Sequence, residues 1–584
     1  MKENTQSFAH RLIRLVREIY PDIDADVFSS LIIDAFWPEQ TQRRQRGRLP
    51  GNRLWTEKDA LLITYGNSII DGAHKPLDLL NDFLLNHLKG VLNCVHILPF
   101  FPYTSDDGFA VSDFRSVNPQ LGDWADINRI ANEFTLMSDL VLNHVSSQSN
   151  WFNEYRQGHA PFDKFFFEGS TDDDLSEVVR PRTTPLLQEI ETTNGVRHVW
   201  CTFSHDQVDL DFRNPEVLLE FLRIIRLHVD NGVQIIRLDA VAFLWKEVGT
   251  SCIHLPQTHA VVQLMRLLCD FASEKIILLT ETNVPKAENL SYFGKGDEAH
   301  AIYNFPLPPL ILHAMMSGSA HYLRRWQSSM PPAPMGCAYL NFTASHDGIG
   351  MRPAEGLLPD SEIENVIETV RTLGGLVSMR TLPDGSESPY ELNTTYYEAM
   401  GHTFTGPDEH HFDRFICSQT IVMSLEGIPA FYIHSLLATP NNHDLVKYRG
   451  MNRAINRHQW DYPQLRSLLD DSESPQTQTL GVLSARLKQR ALQAAFHPNA
   501  TQFTVNTEDN RVFGLWRQSL DRSQSIFALH NVSADQLTIN AATLNLIEDE
   551  IWVDLLSDED ISVSEDVITL APYQCRWITN KHKN

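Results

Sequence analysis

Three carboxyl residues each close a run with the composition of a buried strand. Asp239 ends IIRLD, Glu281 ends IILLTE and Asp347 ends NFTASHD. His144 ends LVLNH, His346 precedes Asp347, and Arg237 stands two residues before Asp239. Solvent at a strand end explains any one of them. It does not explain all six at one rim, because clustered carboxylates repel unless cations or a bound molecule offset them. Such a set can perform a double displacement at a sugar carbon. That chemistry needs two carboxyls about 5 Å apart, one attacking and one first protonating the leaving oxygen, then deprotonating the acceptor. Arg237 and Asp239 share a strand parity, so both point to one side. A neighbouring arginine keeps a carboxylate ionised, which suits Asp239 as nucleophile. The apolar run before Glu281 raises its pKa by desolvation, as an acid requires.

A parallel barrel is the element set that brings such strand ends together. The runs DALLITYG, GVLNCVHILPF, FTLMSDLVLNH, GVQIIRLDA, KIILLTE, HAIYNF, CAYLNFTASHD and GIPAFYI are continuously apolar and alternate with helical patterns. That is the signature of parallel strands covered by helices, and eight of them predict a (β/α)8 TIM barrel. One helix is read with its ends: Asn214 caps it, Pro215 starts it, Leu218, Phe221, Leu222, Ile225 and Val229 form a face, and Gly232 stops it. The expected division is an N-terminal helical extension over 1–56, barrel over 57–144, an insertion domain over 145–212, barrel over 213–348, a second insertion over 349–400, barrel over 401–498, and a C-terminal antiparallel β domain over 499–584. Insertions after barrel strands 3 and 7 lie where such folds build specificity.

The 584 residues carry a formal net charge of −26. That field repels nucleic acid and anionic lipid, so neither is an expected partner. Seven scattered cysteines without a C-x-x-C pair read as buried small hydrophobes in a reducing compartment. The opening MKENTQSFAHRLIRLVREIY lacks a signal-peptide core, and Phe8, Leu12, Leu15 and Ile19 fall at helical spacing before Pro21. An amphipathic helix packed on its own protein follows, and a cytoplasmic location is expected. The basic stretch QRRQRGRLPGNR reads as an exposed linker.

DLVLNH at 139–144, GVQIIRLDA at 232–240, LLTE at 278–281 and FTASHD at 342–347 resemble the four signature regions of the α-amylase family, glycoside hydrolase family 13. VHILPFFPYTSDDGF, LGDW, RPR at 180–182, QVDLD at 207–211, RLDAVAFLWKEVGTSC, LPPLILHA, SHDGIG and INRH at 455–458 look like its sucrose phosphorylase subfamily. The resemblance runs from about residue 57 to the C-terminus. It implies Asp239 as nucleophile, Glu281 as acid/base and Asp347 as transition-state stabiliser. It implies His144, Arg237 and His346 around the reacting glucose, Asp106 and Arg457 clamping it, and Phe109 and Phe203 lining the site. Arg182 is the candidate for phosphate or acceptor, with Arg352 and Arg380 as further cations.

The implied reaction is retaining phosphorolysis, sucrose plus inorganic phosphate giving α-D-glucose 1-phosphate and D-fructose. The segment GGLVSMRTLPDGSESPYELN and the SDDGF turn look closer to relatives acting on glucosylglycerate. Glucosylglycerate, glucosylglycerol and sucrose 6′-phosphate are therefore alternative donors, and hydrolysis or transglucosylation is an alternative outcome. No cofactor and no metal are expected. The remaining expectation is a monomer or homodimer.

Overall fold

In the computed structural model, residues 2–38, 54–182, 184–381, 387–544, 546, 551–561 and 567–581 are described. The basic linker at 42–53 and the tip of the LPDGSESPYE segment lie outside them.

All eight apolar runs are strands of one closed parallel barrel. They are β1 Leu61–Thr64, β2 Cys94–Ile97, β3 Thr135–Val141, β4 Val233–Asp239, β5 Ile277–Thr280, β6 Ala301–Tyr303, β7 Ala338–Phe342 and β8 Ile428–Tyr432. The circle closes where Leu61 of β1 pairs with Ala430 of β8. Nearly every residue of these strands is buried, because barrel interior and helical layer take the two faces.

The helix Pro215–Asp230 shows why the pattern was legible. The Asn214 side chain accepts from the Glu216 N–H at 3.1 Å, and Leu218, Phe221, Leu222, Ile225 and Val229 are all buried. Gly232 follows at φ 89°, where a Cβ would meet that of Ala131 at 2.7 Å. Only glycine joins this helix to β4.

The first insertion holds a small antiparallel sheet of Glu168–Gly169, Leu187–Thr192 and Gly195–Trp200. The second holds the helix Asp360–Thr372 and the antiparallel strands Leu376–Thr381 and Glu387–Asn393. Past the barrel, a six-stranded antiparallel sheet runs from Thr501–Val505 to Cys575–Lys581. All seven cysteines are buried.

At the amino end, α1 Lys2–Ile19 and α2 Ala25–Phe36 form a helical pair. The Asp24 side chain caps α2 by accepting from the N–H groups of Asp26 and Val27. Phe8, Leu12, Leu15 and Ile19 are buried as the helical spacing required. α1 lies on the helix Pro256–Phe271 and α2 on Pro215–Asp230. Phe8 packs on Phe271 at 4.8 Å between ring centroids, and the Tyr20 hydroxyl donates to the Phe212 carbonyl at 2.9 Å. The extension therefore backs the two helices that flank β4. Leu12, fully buried, tests this: Leu12→Ala should cost about 2–5 kcal/mol of stability, read by chemical denaturation. A cost near zero would mean that the extension is not part of the core. Among the described residues, no helix is long and apolar enough to cross a membrane.

Candidate active site

The barrel register sets the catalytic geometry. Arg237 on β4 pairs with Leu279 on β5, and Leu238 with Thr280. Asp239 and Glu281 follow at the same height, and the Glu281 N–H donates to the Leu238 carbonyl at 3.2 Å. Neighbouring strands lie about 4.8 Å apart, close to the separation of about 5 Å that a nucleophile and its acid/base need. On the other side of β4, Arg237 faces Asp139 of β3, and Asp239 faces Val141. Asp347 arrives from the loop that follows β7.

One guanidinium organises these acids. Arg237 Nη1 sits 2.7 Å from Asp239 Oδ2 and also reaches Asp139, while Nη2 is 4.0 Å from Glu281 Oε2. Asp139 is bridged from behind by His96 Nε2 at 2.7 Å. Burial raises the Asp139 carboxyl, but His96 and Arg237 outweigh it and leave it at about 2. Burial pushes Asp239 up to about 8, helped by Glu281 and Asp139 and opposed by Arg237. Burial also raises Glu281, with Asp347 and Asp139 adding. Two buried carboxyls side by side, both raised, share a proton more readily than both ionise. The contact distances to Arg237 place that proton on Glu281, since a carboxyl at 2.7 Å from a guanidinium is stabilised as the anion far more than one at 4.0 Å. Asp239 is thereby the ionised member of the pair and Glu281 the protonated one.

The two histidines of the wall are neutral. Burial drops His144 to about 4, so the ring is uncharged, and Nε2 lies 3.1 Å from the Phe109 carbonyl. His346 falls well below its ordinary value through burial and the arginines Arg457, Arg237 and Arg453. Its ring stacks on Phe109 at 4.8 Å, with the planes 8° apart. Phe203 meets Phe243 edge-on at 5.5 Å. Asp347 stays below the usual carboxyl range because Arg453 and Arg457 overcome the cost of its burial. Asp106, Phe109, His144, Arg182, Phe203, Arg237, Asp239, Glu281, His346 and Asp347 all line one cavity of about 130 Å³. Among the described residues, no cluster of three or more His, Cys, Asp or Glu side chains could hold a metal ion.

Known proteins give this geometry its family. The α-amylase catalytic-domain model matches residues 84–338. A glucosylglycerate phosphorylase of Spirochaeta thermophila is 42% identical over 97% of this chain and 98% of its own. A sucrose phosphorylase of Agrobacterium vitis is 30% identical over 82% of this chain and 96% of its own. The chain belongs to glycoside hydrolase family 13, in its sucrose phosphorylase subfamily. The crystal structure of a sucrose 6F-phosphate phosphorylase from Thermoanaerobacter thermosaccharolyticum shares the fold, with a TM-score of 0.71 and 24% identity over 88% of this chain and 98% of that one.

In this family 13 member, Arg457 does not line the cavity that holds the other residues of the site. It pairs with Asp107 rather than Asp106, donates from Nε to the His346 carbonyl at 2.9 Å, and brings Nη2 within 3.8 Å of Asp347 Oδ1. It lines a neighbouring cavity of about 210 Å³ with Tyr65, Asp107, Arg449 and His458. Four residues earlier, Arg453 does line the cavity of about 130 Å³, where it contacts Asp347 and Glu391. Both arginines belong to the segment MNRAINRH, whose 3₁₀ turn over Asn452–Asn456 sends residues four apart to different sides. Helical or strand periodicity therefore gives no signal for choosing between them. Gln207, within QVDLD, also lines the pocket, although nothing in that segment singles it out. Its Nε2 reaches Asp106 Oδ2 at 3.3 Å.

The mouth is built from both insertions. Arg182 of the first lies over the Tyr390 ring of the second, 5.6 Å from its centroid. Arg352 and Arg380 line the same opening, and Arg380 pairs with Glu355 at 2.6 Å.

Proposed function

We propose that the protein is a retaining glucosylglycerate phosphorylase, transferring glucose to inorganic phosphate to give α-D-glucose 1-phosphate and glycerate. The observation that carries the chemistry is the placement of Asp239 and Glu281 on adjacent strands, level with one another, with Arg237 touching only the first. In the first half-reaction, the Asp239 carboxylate attacks the anomeric carbon from the β face. The bond to the glycerate oxygen breaks, and Glu281 gives that oxygen its proton. In the second, phosphate attacks the same carbon from the α face, loses its proton to Glu281 and releases Asp239. Two inversions retain the α configuration. Asp347 would hold the sugar hydroxyls, with His144, His346, Asp106 and Phe109 around the ring.

Two observations support glucosylglycerate over sucrose, the donor expected first from the resemblance. The glucosylglycerate phosphorylase similarity is 42% across nearly the full chain, against 30% for the sucrose phosphorylase. The glycerate leaving group also carries a carboxylate that fructose lacks. Arg182 and Arg352 stand at the mouth with no carboxylate in ion-pair contact among the described residues, and either suits that anion or phosphate.

A matrix of donors with and without phosphate tests this. Glucosylglycerate should be consumed fastest, and only when phosphate is present. Faster turnover of sucrose, glucosylglycerol or sucrose 6′-phosphate would overturn the donor assignment. Glucose release at the same rate without phosphate would overturn phosphorolysis in favour of hydrolysis.

A further inference from the structure

Glu391 is a buried carboxylate, 4% exposed, on the strand Glu387–Asn393 of the second insertion. It grips Arg453 with both oxygens: Nε donates to Oε2 at 3.0 Å and Nη2 to Oε1 at 2.9 Å. The remaining arm of the guanidinium, Nη1, is on Asp347 Oδ1. Asn393 Nδ2 steadies Glu391 from its own strand at 3.0 Å. A second tie runs beside the first, from Asn452 through Ser378 to Asn393, at 3.2 and 2.7 Å. Independently of these polar contacts, the backbone after Asp347 is pressed against the same residue. A Cβ on Gly348 would lie 2.5 Å from Glu391 Cγ and 2.4 Å from the Leu392 carbonyl oxygen. The mouth of the pocket and the carboxylate at its floor are thus joined twice, once through Arg453 and once through Gly348.

We propose that Glu391 is a positioning residue that restrains Arg453, so that Asp347 can exchange the guanidinium for sugar hydroxyls when a glucosyl ring enters. With Nε and Nη2 both held by Glu391, only Nη1 is left for Asp347, so the guanidinium meets that carboxylate through a single 2.5 Å contact and cannot form a two-bond pair with it. With Glu391 removed, Arg453 has Asp347 as its main anionic partner and competes with the sugar for it. The effect falls on the glucosyl half of the site although Glu391 comes from the mouth. The proposal rests on the glucosyl transfer proposed above.

Three reactions separate the possibilities in the full-length protein, with Glu391→Ala and Glu391→Gln. They are phosphorolysis of glucosylglycerate, exchange of labelled phosphate into glucose 1-phosphate without glycerate, and hydrolysis of α-glucosyl fluoride. In Glu391→Ala, kcat/KM should fall in all three by a similar factor, roughly ten- to a hundredfold, the scale of one charge-assisted hydrogen bond. The loss should lie mainly in KM, because the competition is with bound sugar. Glu391→Gln keeps one acceptor for Arg453 and should recover part of it. It also serves alone, read against wild type, if the alanine variant does not fold. A loss confined to phosphorolysis would make Glu391 an acceptor contact and overturn the proposal, as would kcat/KM within threefold of wild type in every reaction. If wild-type protein hydrolyses the fluoride but shows no phosphate exchange, phosphorolysis has failed instead, and the fluoride reaction alone judges Glu391.

Discussion

Asp239→Asn should lower phosphorolysis on the order of 10⁴-fold or more, because the proposed covalent glucosyl intermediate forms on this carboxylate. Asparagine keeps the shape of the side chain and an oxygen for Arg237, so the barrel should be preserved and the loss should be chemical. Two measurements check this. Steady-state rates give the factor, and mass spectrometry after incubation with a fluorinated glucosyl donor reports whether the adduct forms. The adduct should appear on wild-type protein at Asp239 and be missing from the variant. Turnover within tenfold of wild type would remove Asp239 as nucleophile.

Glu281→Gln is expected to show a loss that depends on the leaving group. With glucosylglycerate, whose departing oxygen needs a proton, the rate should drop about 10²–10⁴-fold. With α-glucosyl fluoride, the step that forms the intermediate should fall far less. Equal loss on both donors would count against the acid role. The same residue sets the pH dependence. Glucosylation requires the proton on Glu281, whose carboxyl burial raises, so its rate in wild type should fall on the alkaline side, and Glu281→Gln should lose that limb. Stability follows the same sign. A carboxyl pair raised in the fold contributes fully below the ordinary carboxyl range, and the contribution is lost as pH climbs through the raised value.

The barrel was legible because each of its strands is apolar on both faces, which leaves one architecture for eight such runs. The acids were legible for a related reason: a polar residue that terminates a buried strand has nowhere to be except the rim. Asp239, Glu281 and His144 are read this way without ambiguity. Arg457 and Arg453 were not, since a 3₁₀ turn imposes no face, and both arginines satisfy the same short segment. The packing of α1 on Pro256–Phe271 was half legible. The buried face of the helix showed in its spacing, but its partner lies some 240 residues along the chain. Glu391 gave no sign at all. It occupies an ordinary strand position, and its value comes only from what a distant loop brings to it.

The Glu391–Arg453 pair also bears on how such an enzyme can diverge. Most of the residues proposed to surround the glucosyl ring rise from barrel strands or the loops just beyond them, while those at the mouth come from the two long excursions. Selection could therefore exchange one aglycone for another by rewriting the excursions and leaving bond cleavage intact. Position 391 is the exception, because a change there is felt at Asp347, so a lineage altering its leaving-group preference must either spare this residue or change it together with Arg453.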